Sequence, residues 1–123
     1  MEFIEKKILV VDDDRFFLSQ LEHQLTEEKF EVKCIEKLGD IEASIAHFQP
    51  DLIILDILLE DGDGRLACND LKSQSHTAHL PIVVITGLDF MEISKIECEA
   101  DAIMGKPFSF DNLMLNISVT QVN

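Results

Sequence analysis

The chain has no tryptophan and no tyrosine, and only three prolines and five glycines in 123 residues. No repeat, low-complexity tract or Pro/Gly-rich linker interrupts it, so nothing marks an internal domain boundary. Basic residues are scarce: 10 Lys and Arg against 24 Asp and Glu give a formal net charge of −14 at pH 7. Such a surface repels nucleic-acid phosphates and anionic lipid, which argues against direct DNA or RNA binding and against membrane attachment. Cysteine is sparse too. Cys34, Cys68 and Cys98 stand far apart without C-x-x-C spacing, and an odd count cannot close a disulfide framework, so a reducing cytoplasm is expected. Residues 1–7 lack the apolar stretch of a signal peptide, and no later run is long enough to span a bilayer.

Apolar residues make up 46% of the chain, enough to fill one core, and residues 1–123 are expected to form a single domain. Uninterrupted apolar runs at residues 8–11, 52–55 and 82–85 predict strands covered on both faces, as in parallel sheets. Residues 31–36 partly alternate and predict a strand near an edge; residues 102–104 are a fifth candidate. Helical spacing joins Phe17, Leu21 and Leu25; Ile41, Ile45 and Phe48; Leu66, Ala67 and Leu71; more weakly Phe90, Ile93 and Ile96; and Phe110, Leu113, Met114 and Ile117 behind a capping Ser109. Alternation of strand and helix predicts right-handed crossovers and an open parallel sheet with helices on both faces.

Ligands of such sheets bind beyond the carboxyl ends of the strands, so the residues ending each run matter most. These are Asp12, Asp13 and Asp14 after the first strand, Asp56 after the third, Thr86 after the fourth and Lys106 after the fifth. Converging Asp12, Asp13 and Asp56 would repel one another, and a divalent cation preferring oxygen would relieve the repulsion. Mg2+ is expected, with Mn2+ as a substitute, because Mg2+ binds through a few carboxylates plus a phosphoryl oxygen. A metal, an ammonium and a hydroxyl are the groups that stabilise a phosphoryl group in transfer, with Asp56 as the nucleophile that becomes an aspartyl phosphate.

Four stretches together resemble the receiver domains of two-component response regulators, the CheY-like superfamily. They are Ile8-Leu9-Val10-Val11-Asp12-Asp13-Asp14, Pro50-Asp51-Leu52-Ile53-Ile54-Leu55-Asp56 with the later Asp63-Gly64, Val83-Val84-Ile85-Thr86, and Lys106-Pro107-Phe108. The resemblance implies a doubly wound (βα)5 flavodoxin-like three-layer α/β sandwich, with a five-stranded parallel sheet in the order 2-1-3-4-5. It implies that Asp13 and Asp56 ligate Mg2+ directly, Asp12 through water and Leu58 through its backbone carbonyl. Thr86 and Lys106 would contact the phosphoryl oxygens, Thr86 would act as the switch hydroxyl, and Pro107 would follow a cis peptide bond. The donor would be a sensor histidine kinase or a histidine phosphotransfer protein. Phosphorylation would alter contacts with an output domain or downstream protein, or drive homodimerisation through the face formed by the fourth helix, fifth strand and fifth helix. The chain would be a switch rather than an enzyme with turnover, either stand-alone or, as preferred, the N-terminal part of a longer regulator.

Two positions depart from the family. Glu60 stands where proline is usual, which predicts a looser loop, and Ile103 replaces the usual switch aromatic. Among rival readings, a calcium loop fails on register: with Gly64 at its sixth position it would start at Leu59, which offers no oxygen, and end at Asp70 rather than glutamate. A haloacid-dehalogenase-type phosphatase would use Asp12 and Asp14 as its D-x-D motif, but Phe16 is a poor follower and no second acidic pair comes after Lys106. A pseudo-receiver would have lost the acidic pair, the acceptor or the lysine, and all are present. His76 and His79 read as a solvated loop pair, His23 and His47 as helix-surface residues, and Phe16 with Phe17 as core and rim packing.

Overall fold

The uninterrupted apolar runs become the interior of the sheet. The computed structural model describes residues 6–120; residues 1–5 and 121–123, which bear on export and on the chain's end, lie outside the described residues. Along the chain come β1 (Lys7–Val11), α1 (Arg15–Glu27), β2 (Glu31–Ile35), a 3-10 turn (Leu38–Asp40) leading into α2 (Ile41–Phe48), and β3 (Leu52–Asp56). A hairpin of two-residue arms, Leu58–Leu59 and Gly62–Asp63, precedes α3 (Gly64–Ser73), β4 (Ile82–Thr86), α4 (Phe90–Ser94), β5 (Ala102–Gly105) and α5 (Phe110–Thr120). All sheet pairings except the hairpin are parallel, in the order β2-β1-β3-β4-β5 expected from the sequence.

Side chains alternate across a strand, so each run feeds two cores. Ile8, Val10, Ile54, Val83 and Ile85 meet Leu18, Leu21 and Leu25 of α1 and Leu113 and Ile117 of α5. Leu9, Val11, Ile53, Leu55 and Val84 meet Ile41 of α2 and Cys68 and Leu71 of α3. The result is three layers, with β1, β3 and β4 central. Burying each large aliphatic side chain here contributes about 1.5–3 kcal/mol. β2 is only half-buried, as its partial alternation predicted for an edge strand.

Three sequence expectations need correction. Leu66 is 57% exposed, because the core stripe of α3 runs through Cys68 and Leu71, and a residue two positions before Cys68 points away from it. Phe16 is 72% exposed and takes no part in the core; Phe17 does, packing edge-on against Phe108 at 6.0 Å. Phe90 is 82% exposed on a five-residue α4 that ends before Ile96, leaving Ile93 as the helix's contact with the core. Glu60 sits at the turn of the hairpin, where the neighbouring Asp61 carboxylate accepts hydrogen bonds from the N–H groups of Leu38 and Gly39, both at 3.0 Å. Among the described residues, no helix is long and apolar enough to cross a membrane.

Candidate functional site

The acidic triplet after β1 divides its labour. Asp14 caps α1, its carboxylate accepting from Phe16 N–H and Phe17 N–H at 3.1 Å each. Asp12 is fully buried; its Oδ1 accepts from Asp14 N–H at 2.9 Å, which turns the carboxylate toward the middle of the sheet edge. Asp13, partly exposed, sits between them. From the end of β3 comes Asp56, 7% exposed, whose Oδ1 accepts from Ile57 N–H at 2.8 Å. One carboxylate oxygen from each of Asp12, Asp13 and Asp56 lies within 4.8 Å of the others, and this is the one such acidic or metal-ligating cluster among the described residues.

Crowding of like charges is legible in the chemistry of the central acid. Burial first, and then the Asp12 carboxylate, raise the Asp56 pKa to about 6, against the opposing pull of Lys106 and of Ile57 N–H. The donor set is all oxygen, which suits a hard divalent cation such as Mg2+ and fits neither zinc nor copper well.

Lys106 crosses the sheet edge to reach this cluster. Its backbone N–H donates to Thr86 O at 2.6 Å, anchoring the turn after β5 to the end of β4. Its ammonium donates to Asp12 Oδ2 at 2.7 Å, lies 3.6 Å from Asp56 Oδ2, and rests over the Phe17 ring at 4.3 Å. The Lys106–Pro107 peptide bond is cis, as expected. Thr86 is buried, and its Oγ1 accepts from Leu88 N–H at 2.9 Å, leaving its own proton free to donate. Thus Asp12, Asp13, Asp56, Thr86 and Lys106 gather at one sheet edge, as the strand ends predicted. Leu58 opens the hairpin two residues after Asp56 with its side chain exposed, whereas Ile103 lies on β5 opposite Val84, 42% exposed and apart from the acidic cluster.

In the sequence, Asp63-Gly64 stands only as part of a stretch that carries the resemblance. Asp63 is the cap of α3, accepting from Arg65 N–H at 2.8 Å. Gly64, however, lies against the end of the strand that carries Asp56: a Cβ there would fall 2.0 Å from the Asp56 carbonyl oxygen and 3.1 Å from Ile57 Cα. Arg65, only 5% exposed, was not singled out at all. It grips the Asp63 carboxylate with Nε at 3.0 Å and a terminal nitrogen at 2.7 Å, and its other terminal nitrogen donates to the carbonyls of Glu92 and Ile93 at 2.8 and 3.1 Å. Its signal was an arginine directly after a capping Asp-Gly, which helix periodicity alone does not distinguish from a surface charge.

A family model described as "Response regulator receiver domain" matches residues 8–118. Over 114 residues the chain is 32% identical to the transcriptional regulatory protein GltR of Pseudomonas aeruginosa, covering 91% of this chain and 47% of that protein. It is 37% identical over 111 residues to the response regulator PleD of Caulobacter vibrioides, covering 89% of this chain and 24% of that one. The chain therefore spans less than half of each of these curated relatives. Among solved structures, the BeF3-activated N-terminal receiver domain of Klebsiella pneumoniae RstA superposes with a TM-score of 0.85 at 29% identity, covering 96% of this chain and all of that one.

Proposed function

The chain belongs to the response regulator receiver domain family of two-component signalling, and from that premise we propose that it is a phosphoacceptor switch that takes a phosphoryl group onto Asp56. The observation that carries this reading is the convergence of three carboxylates within 4.8 Å, with the Lys106 ammonium 3.6 Å from the acceptor. Asp56 attacks the phosphorus of a phosphohistidine on a sensor kinase or phosphotransfer protein. The Oδ–P bond forms, the P–N bond breaks, and the donor imidazole leaves.

At neutral pH Asp56 needs no general base, since a carboxyl with a pKa of about 6 is mostly ionised. Asp12, Asp13, Asp56 and the Leu58 carbonyl would hold Mg2+, or Mn2+ in its place. When bound, the ion neutralises charge on the phosphoryl oxygens. Lys106, now paired with Asp12, exchanges that partner for a phosphoryl oxygen, and the free Thr86 hydroxyl donates to another. These shifts pull the ends of β4 and β5 inward and bias the face of α4, β5 and α5 between two states. Ile103, lying on that face, takes the position of the switch aromatic. The face would contact an output domain, a downstream protein or a second copy of the chain. We place the protein in the cytoplasm, as one receiver over residues 1–123, stand-alone or leading a longer regulator.

Incubation with acetyl phosphate, followed by intact mass, tests the assignment. One added phosphoryl group is expected, dependent on Mg2+ and absent from Asp56→Asn. A pseudo-receiver would gain no mass, a haloacid-dehalogenase-type enzyme would turn over p-nitrophenyl phosphate, and labelling of Asp56→Asn would refute Asp56 as acceptor.

A further inference from the structure

The hairpin between β3 and α3 is held at its base and at its tip. At the base, Gly64 N–H donates to Ile57 O at 2.7 Å, and the Asp63 carboxylate is gripped by Arg65. At the tip, the Asp61 carboxylate spans the first two N–H groups of the 3-10 turn, Oδ1 accepting from Leu38 and Oδ2 from Gly39, at 3.0 Å each. Lys37, at the cap position of that turn, makes no side-chain capping bond, so Asp61, 22 and 23 residues away in sequence, supplies the cap from outside. Leu38 closes on the same tip from the apolar side: a Cβ on Gly62 would fall 2.9 Å from Leu38 Cδ1.

Hairpin geometry also fixes how Leu58 presents its carbonyl. Leu58 pairs with Asp63, and Leu59 with Gly62. Because the bond from Gly64 N–H to Ile57 O belongs to the next pair along, Leu58 and Asp63 form a non-hydrogen-bonded pair, and their carbonyls face outward from the hairpin. The phosphoacceptor reading assigns that Leu58 carbonyl to Mg2+ beside Asp12, Asp13 and Asp56. The turn gripped by Asp61 follows β2, whose last residue, Ile35, accepts from Asp12 N–H at 3.1 Å. One run of contacts therefore leads from the Leu58 arm through Asp61 to the segment that fixes Asp12.

We propose that Asp61 is a positioning residue of the cation site, clasping the turn after β2 so that the Leu58 carbonyl stays in register with the carboxylates of β1 and β3. The inference rests on the phosphoacceptor reading, which supplies the cation. Asp61 lies outside the acidic cluster and acts through the hairpin, ordering it before the ion arrives and so lowering the cost of binding. Bulk negative charge is the competing cause. Glu60, exposed at the neighbouring position of the same turn, carries equal charge and serves as the control.

Free Mn2+, followed by electron paramagnetic resonance, reads the affinity of the site without phosphate. Asp61→Ala should bind Mn2+ about tenfold more weakly, the lower end of the range for losing a group that orients a metal ligand, whereas Glu60→Gln should bind as the parent does. Both side chains are exposed, so neither substitution opens the core. At saturating Mg2+, Asp61→Ala should still gain one phosphoryl group from acetyl phosphate by intact mass, with its Mg2+ requirement raised by the same factor. Equal Mn2+ affinity in Asp61→Ala and the parent, or an equal loss in Glu60→Gln, would overturn the role of Asp61 and leave the acceptor site standing. Labelling of Asp61→Ala that fails at every Mg2+ concentration would overturn it too, by placing Asp61 in the acceptor machinery itself. A parent chain that binds no Mn2+ would overturn the cation site, and the role of Asp61 with it.

Discussion

Gly64 stands where only a hydrogen atom fits, since the atoms that a side chain would meet are all backbone and belong to the strand end that carries Asp56. Gly64→Ala should therefore separate α3 from β3 and lower stability by about 3 kcal/mol, the upper range for overpacking, as measured by chemical denaturation. Beside it, hydrogen bonds from the Arg65 side chain hold the Asp63 carboxyl below the usual range. A folded pKa below the unfolded value contributes stability that is complete above the unfolded pKa of about 3.9 and is lost as pH falls through the folded one. Asp63→Asn should accordingly be less stable than the parent at neutral pH, with the difference shrinking as acid is added, in denaturation midpoints followed against pH. Residues at strand ends were legible in the sequence because position alone defines them. Gly64 and Arg65 were only partly so or not at all, because their partners lie 7–8 and 27–28 residues away and no local pattern reports a contact at that range.

The short α4 shows what a helix needs when its own apolar stripe is thin. Phe90 and Met91 are exposed, and among its contacts are two hydrogen bonds from Arg65, which take up carbonyls at its C-terminal end. Arg65 thus ties the helix that starts beside the end of β3 to the helix on the proposed signalling face. Arg65→Ala should cost about 2 kcal/mol, the range for hydrogen bonds to a charged group, and hydrogen exchange should quicken in α4 more than in α1. Sequence periodicity identified α1, α2 and α5 because their buried stripes are continuous. It overextended α4 and misplaced Leu66 because these segments are held by side-chain-to-backbone bonds and a cysteine rather than by large apolar residues. The hairpin escaped it altogether, since two-residue arms carry no period.

At the scale of the molecule, 24 acids outnumber 10 bases. Self-repulsion of that size opposes the compact state, and salt screens it over a Debye length of about 10 Å at 0.1 M. Tm should rise as NaCl is added, despite the loss of surface pairs such as Arg15–Glu36, and a thermal melt series reads this directly. The sheet order also sets a distance in sequence: the Lys106 to Asp12 bond joins residues 94 apart and passes the ends of β3 and β4 on its way. A contact at that separation is entropically costly to close and holds only with the intervening strands seated between its two ends. The acidic cluster with its lysine is therefore a molecular seal on the finished product, and, on the proposed phosphoacceptor reading, the fraction of a preparation that accepts phosphate would count its correctly assembled copies.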